Sequence, residues 1–353
     1  MRVLVLGGTG AMGEHLVQLL ADDNVETYVT SRKKNNSFGT VKYIQGNAHD
    51  DVFINQLLKE KFDVIIDFMV YTTFEFANRV EIYLNNTQQY IFLSSARVYA
   101  NSDIPLTEDS PRLLDVCQDK EYLETDEYAL TKARQEDFLI NNINKNWTII
   151  RPYITYSNIR LQLGVLEKED WLYRALYGHK VVFPIDLMDK KTTLTYGYDV
   201  ARSIKALIGK KSTLSNAFHI TQDKSITWSD VWNLYKVTIG EKTEKEPQIM
   251  LCEINQFENI YKGHYQIHYD RMYDRIFSND KIKQHIDTSN FITPEVGLNK
   301  CLSECITNLT NLKAIVRYGS EGSKDRVTKE YWKFSDIPSL KNKFKYTIRR
   351  IGI

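Results

Sequence analysis

The stretch Arg2-Val3-Leu4-Val5-Leu6-Gly7-Gly8-Thr9-Gly10-Ala11-Met12-Gly13 runs a short apolar segment straight into glycines, and Met12 to Ala21 follows with Leu16, Leu19 and Leu20 at helical spacing. Strand, tight loop and helix in that order make the first crossover of a parallel sheet. Gly7, Gly10 and Gly13 stand at Gly-x-x-Gly-x-x-Gly spacing. Small residues there permit the turn, let the backbone approach a pyrophosphate and allow the helix to pack close to the strand. The helix N-terminus then offers amide donors to phosphates. Gly7, Thr9, Gly10, Ala11, Met12 and Gly13 are therefore the expected dinucleotide-binding residues.

Working outward, β-rich runs recur at Glu26 to Thr30, Val41 to Ile44, Asp63 to Asp67, Tyr90 to Ser94 and Trp147 to Arg151, with helical segments between them. Such alternation builds a parallel sheet covered on both faces. The expected fold class is α/β, a Rossmann-like doubly wound parallel sheet with a smaller mixed α/β substrate-binding C-terminal region. The expected division is a dinucleotide-binding domain over 1–155 and a mainly substrate-binding region over 156–353, with 198–220 returning to the first domain. Helices are expected around Trp171 to Tyr177, Tyr198 to Ile208 and Trp228 to Ile239, and a strand at Ala217 to Ile220.

The chain has 353 residues, with 46 Lys and Arg against 45 Asp and Glu, so no overall field recruits a polyanion, and nucleic acid is not an expected partner. The first apolar run is too short for a signal peptide and no later one reaches membrane-spanning length, which leads to the expectation of a cytoplasmic protein. Cys117, Cys252, Cys301 and Cys305 form no Cys-x-x-Cys pair, and the Cys301/Cys305 spacing suits one helix face. With the seven histidines dispersed as well, no metal site is expected. Asn101 to Glu127 is long and acidic, readable as a functional loop or as a solvated excursion. Lys341, Lys343, Lys345, Arg349 and Arg350 near the C-terminus read as a solvated basic tail rather than a membrane contact.

Cofactor choice is read after the second strand, at Thr30-Ser31-Arg32-Lys33-Lys34. An acid there would bind a ribose 2′-hydroxyl and repel a 2′-phosphate, whereas Arg32 can stack on adenine or bond the phosphate. NADP(H) is favoured, with NAD(H) the alternative. Asp50, beyond the third strand, either lies near the adenine or caps the following helix.

Tyr128-Ala129-Leu130-Thr131-Lys132 opens a helix, and a separation of four puts Tyr128 and Lys132 on one face. A free phenol titrates near pKa 10 and transfers protons poorly at neutral pH, so a nearby ammonium that stabilises phenolate gives the pairing a chemical reason. Ser94-Ser95 follows the apolar strand Tyr90 to Leu93, placing hydroxyls where open α/β sheets build their sites. Tyr128 is the candidate acid/base and Ser95 the residue that polarises the reacting oxygen.

The glycine loop, Ser95 and Tyr-x-x-x-Lys, in this order, resemble the extended short-chain dehydrogenase/reductase superfamily, particularly its NAD(P)-dependent nucleotide-sugar epimerase/dehydratase branch. The likeness extends to Val98-Tyr99, Arg151-Pro152 and, more weakly, Tyr198-Asp199-Val200-Ala201. The resemblance implies that Ser95 and Tyr128 contact the reacting oxygen, that Lys132 holds the nicotinamide ribose and lowers the Tyr128 pKa, and that a homodimer forms through the helices preceding and containing Tyr128. It also implies a nucleotide-sugar substrate. Dehydratases of the branch carry Asp-Glu where this chain has Ala96-Arg97, which disfavours dehydration. The branch's diphosphate-gripping arginine is missing from Lys190 to Thr195, leaving Arg97, Arg271 and Arg275 as substrate candidates. Reduction of a keto group on an activated sugar or ketose is the leading expectation. Epimerisation is its alternative, and a nucleotide-sensing or scaffold protein on the same fold is the alternative without chemistry.

Overall fold

The computed structural model describes residues 1–309 and 316–352. Contacts divide the chain into two units, each assembled from three segments. The first comprises Met1–Thr155, Thr193–Lys224 and Arg275–Thr293; the second comprises Tyr156–Thr192, Ser225–Asp274 and Pro294–Ile353.

In the first unit, strands β1 (Arg2–Leu6), β2 (Glu26–Ser31), β3 (Val41–Gln45), β4 (Val64–Asp67), β5 (Gln89–Leu93) and β6 (Trp147–Pro152) join the Asn216–Ile220 strand in a seven-stranded sheet. From one edge the order is Asn216–Ile220, β6, β5, β4, β1, β2, β3, and every pairing is parallel. The order reverses between β1 and β4, which opens a crevice at the C-terminal ends of the strands. This is the Rossmann-like α/β architecture.

The strand period of two explains the two cores. Val3 and Val5 point to one face, with Val29, Ile66 and Ile150, against Leu16, Val17 and Leu20 of the Gly13–Asp22 helix and Val200, Ile204 and Leu207 of the Gly197–Leu207 helix. Leu4 and Leu6 point to the other, with Ile65, Phe92 and Ile149, against Ile54, Leu57, Phe76 and Tyr83. Both faces being buried accounts for the almost uninterrupted apolar strands.

The second unit packs helices Lys168–Tyr177, Trp228–Thr243, Pro294–Thr307, Tyr318–Thr328 and Leu340–Ile351 with a parallel strand pair, Val181–Pro184 and Ile249–Cys252. Cys301 and Cys305 are buried free thiols on one face of the Pro294–Thr307 helix, and burial pushes the Cys301 thiol up to about 12. The basic C-terminal run keeps its Lys and Arg side chains exposed or half-exposed. It is a helix capped by Ser339 whose Tyr346 is buried and donates a 2.7 Å hydrogen bond to Asp325. Arg174, also buried, pairs with Glu321, Asp325 and Glu330 at 2.7 to 2.8 Å, in a cluster that Lys324 joins through Glu321 at 2.9 Å. No helix among the described residues is long and apolar enough to cross a membrane.

Candidate functional site

The glycine loop sits where β1 meets the first helix. Gly7 takes a left-handed φ of +71°, open to glycine without strain, and its amide donates to Thr30 Oγ1 at 3.1 Å, so β2 props the turn. A Cβ on Gly13 would stand 2.7 Å from the Gly8 carbonyl carbon, which shows how closely the helix start abuts the loop. A Cβ on Gly10 would meet nothing within 4 Å. The open side of the loop at Gly10 is a cradle of the kind a pyrophosphate needs. Ala11 and Met12 lead into the helix, and no side chain caps its N-terminus.

A cleft of about 330 Å³ continues from this loop and is lined by Gly7, Thr9 and Gly10 at one end and Ser31, Arg32 and Asn47 at the other. No carboxylate is among its lining residues. Asp50 does not line it: its carboxylate accepts from Val52 N at 2.8 Å and Phe53 N at 3.2 Å, capping the Asp51–Leu58 helix. The capping reading of Asp50 is the one the structure bears out. Asn47 and His49 line the cleft from the same loop. Arg79 secures that loop by donating to the Ala48 carbonyl at 2.9 Å, to the His49 carbonyl, and to Asp51 at 2.7 Å.

The hydroxyl pair at the end of β5 divides its work. Ser94 donates to buried Glu136 at 2.5 Å and is drawn into the core. Glu136 is held in turn by Nε and Nη2 of Arg151, each at 2.8 Å in a two-pronged pairing, and by Nη1 of Arg112 at 3.4 Å. Ser95 begins a 3₁₀ turn, Ala96–Val98, and its Oγ accepts from the Arg97 amide at 3.2 Å.

Tyr128 is the first residue of the Tyr128–Ile140 helix and is 36% exposed. The acidic Asn101–Glu127 segment contains two short helices, Leu113–Val116 and Lys120–Glu124. Its last acids seat the Tyr128 helix. Glu127 caps it through Ala129 N at 2.8 Å and pairs with Arg97 at 2.6 Å, and Asp126 receives Thr73 and Arg134. The Arg97 guanidinium lies 5.3 Å from the centre of the Tyr128 ring.

One turn on, Lys132 is buried, with Nζ 2.7 Å from the Leu93 carbonyl and 4.5 Å from the centre of the Phe92 ring. Burial lowers its pKa to about 8, against the opposing pull of Asp67 and Glu136. Asp67, at the end of β4, is fully buried, which raises its pKa, and it accepts from Tyr90 at 2.7 Å and Met69 N at 2.9 Å. Asp67 has no place among the residues expected at the site, although an acid closing the apolar run Val64-Ile65-Ile66 signals a buried, partnered carboxylate.

Lys132 and Ser95 thus meet the same strand end, and the Ser95 turn supplies Arg97, which faces the Tyr128 ring. The other two arginine candidates, Arg271 and Arg275, are both buried. Arg271, in the second unit, is buried, donates to the Gly164 carbonyl at 3.0 Å and pairs with Asp270. Arg275, in the first, is buried and holds the carbonyls of Tyr99 at 3.0 Å and Ala100 at 3.1 Å. Each fastens backbone carbonyls.

The family model of the RmlD substrate binding domain matches residues 1–258. Among curated proteins, the chloroplast stem-loop binding protein of 41 kDa b from Arabidopsis thaliana is 23% identical over 274 residues, 73% of this chain and 67% of that protein. Among solved structures, an epimerase from Methanothermobacter thermautotrophicus superposes with TM-score 0.67 at 16% identity, covering 89% of this chain and 94% of that one. The dTDP-glucose 4,6-dehydratase of Bacillus anthracis, in complex with NAD, gives 0.67 at 16%, covering 89% and 99%. The UDP-glucuronic acid 4-epimerase of Bacillus cereus, in complex with UDP-glucuronic acid and NAD, gives 0.66 at 14%, covering 88% and 100%. These likenesses establish the shared fold.

Proposed function

The chain belongs to the RmlD substrate binding domain family, and from that premise we propose that it is a short-chain dehydrogenase/reductase-type enzyme that reduces a keto group on a nucleotide-activated sugar with NADPH. One observation carries the reading: the Tyr128–Ile140 helix buries Lys132 against the Leu93 carbonyl, two residues before Ser95, and begins with Tyr128.

The residues fit a nicotinamide dinucleotide. The loop from Gly7 to Gly13, with Thr9, Ala11 and Met12, takes the pyrophosphate at the Gly10 cradle and the helix N-terminus. Arg32, in a cleft without carboxylates, receives the ribose 2′-phosphate, and this favours NADP(H) over NAD(H). The nicotinamide, when bound, supplies the hydride. Lys132 holds its ribose, and the ammonium draws the Tyr128 phenol toward ionisation. Tyr128 gives its proton to the oxygen of the reacting carbonyl while Ser95 donates a hydrogen bond to it, stabilising the charge that develops there.

The test is incubation of the full chain with NADPH and a panel of keto sugar nucleotides, following the reduced nicotinamide and the sugar product. Stoichiometric oxidation of NADPH supports reduction. Conversion at constant NADPH, with oxidised cofactor retained on the protein, establishes epimerisation in its place. Cofactor binding with no hydride exchange on any substrate makes the chain a nucleotide-binding protein and removes the catalytic reading.

A further inference from the structure

Three side chains outside the cleft, unremarkable in the sequence, converge in the second unit. The helix Ile254–Glu258 ends at Glu258, and the turn His264–Gln266 runs into a π-helical turn, Ile267–Arg271. His264 and His268, four residues apart, have ring centroids 4.4 Å from each other. Glu258 Oε1 lies 3.0 Å from His264 Nδ1 and 3.0 Å from His268 Nε2, and all three atoms fall within 4.8 Å of one another.

We propose that Glu258, His264 and His268 form a binding site for a divalent cation of the zinc class. Two imidazole nitrogens and a carboxylate oxygen are the donor types such ions take, and three protein donors leave a fourth position for water. Around an ion with bonds of about 2.0–2.1 Å, tetrahedral donors stand roughly 3.3 Å apart. The two 3.0 Å edges therefore open by only a few tenths of an ångström to admit one. His264 is 62% exposed, which provides the entry path.

The donors are carried on anchored backbone. Phe257 beside Glu258 is buried, Tyr261 donates to the Val165 carbonyl at 2.9 Å, and Ile267 and Asp270 flank His268 in the interior. Fixing the frame in advance leaves little ordering for the ion to impose. Widened π turns also recur at functional positions in helices. The one other grouping of this kind among the described residues, His179 with Asp325 and Glu330, differs decisively. There the Arg174 guanidinium already stands 2.8 Å from Asp325 and 2.7 Å from Glu330. Glu258 instead pairs with the two imidazoles, each at 3.0 Å, and with no guanidinium or ammonium among the described residues.

The test uses the full chain without a histidine tag, stripped with chelator, then titrated with Zn²⁺ by calorimetry and with Co²⁺ by visible absorption. One ion per chain is expected, with cobalt bands of tetrahedral nitrogen and oxygen ligation. Replacing both His264→Asn and His268→Asn should abolish them. Glu258→Gln, which keeps the shape of the side chain, should weaken binding at least tenfold with the unfolding midpoint in chelator unchanged. The proposal is overturned by no stoichiometric uptake, by uptake undiminished in the double variant, or by thiolate-to-cobalt charge-transfer absorption, which would place the ion on cysteine.

Discussion

Lys132 Nζ donates to the Leu93 carbonyl at 2.7 Å, joining the first turn of the Tyr128–Ile140 helix to the end of the strand that delivers Ser95. Burial there holds the ammonium at a pKa of about 8, below the 10.5 reference. Between those values the unfolded chain keeps a proton that the folded chain has lost, so this group makes stability rise with pH across the window. The full effect is about 3 kcal/mol. The stability of the natural chain relative to Lys132→Met should therefore increase by that order between pH 7 and pH 10.5, read by denaturant unfolding at both values. The same substitution should impair cofactor binding and turnover together and move any alkaline-side rate transition upward. A pH-independent stability difference would show that Lys132 is not titrating in the interior.

Tyr128→Phe keeps the ring under Arg97 and removes only the hydroxyl. Turnover should fall by about a hundredfold to ten-thousandfold, the usual contribution of a positioned proton donor, with cofactor affinity nearly unchanged. Ser95→Ala should lower the rate without moving the alkaline transition, since its role is to stabilise charge. Steady-state kinetics beside cofactor titration separates these outcomes; near-normal turnover in folded Tyr128→Phe would remove Tyr128 from the chemistry.

Gly10→Val places its branches in open space, so the unfolding midpoint should stay close to that of the natural chain while dinucleotide binding is lost. Gly13→Ala should do the opposite to stability, losing about 1–3 kcal/mol as its Cβ meets the Gly8 backbone. Calorimetric melting with cofactor titration distinguishes the two glycines. Retained affinity in Gly10→Val would put the phosphates elsewhere.

Arg32→Glu exchanges a charge-assisted hydrogen bond for repulsion. NADPH affinity should drop by about tenfold to a hundredfold or more, with NADH affected far less. Equal losses for both cofactors in fluorescence titrations would show that Arg32 does not read the 2′-phosphate.

Arg151→Met leaves Glu136 buried without its two-pronged partner. Stability should fall by up to about 3–5 kcal/mol, and adding Glu136→Gln should restore part of it, because the buried carboxylate keeps only its longer 3.4 Å ion pair with Arg112. Urea unfolding of the single and double variants measures the coupling.

The strand pattern was legible because neighbouring residues alternate faces: Val3 and Val5 separate from Leu4 and Leu6 by the period of two alone. The glycine loop and the Tyr128 to Lys132 step are also local and could be read by spacing. Asp50 was ambiguous because one carboxylate suits a helix cap and a ligand equally, and only the Val52 and Phe53 amides decide it. Arg174 finds Glu321 and Asp325 some 147 and 151 residues away, a distance across which no periodicity carries information. In the basic run near the C-terminus the charges are visible in sequence and stay at the surface, but the partners of Tyr346 are not visible. His264 and His268 were one helical step apart, yet the Glu258 that joins them arrives from another helix.

The segmented make-up of the first unit sets an order on its synthesis. Phe218, Ile220, Ile282 and Phe291 belong to the same core as Val3 and Val5. A ribosome must deliver the segment Arg275–Thr293 before that core closes. Until then the nascent chain carries an apolar strand edge and an uncovered sheet face, the features that attract chaperones and promote misassembly. A fragment stopped near Thr155 retains the glycine loop and Lys132 but presents β6 without its Asn216–Ile220 neighbour, so attempts to express the cofactor-binding segment alone should end in aggregates rather than in a smaller soluble protein.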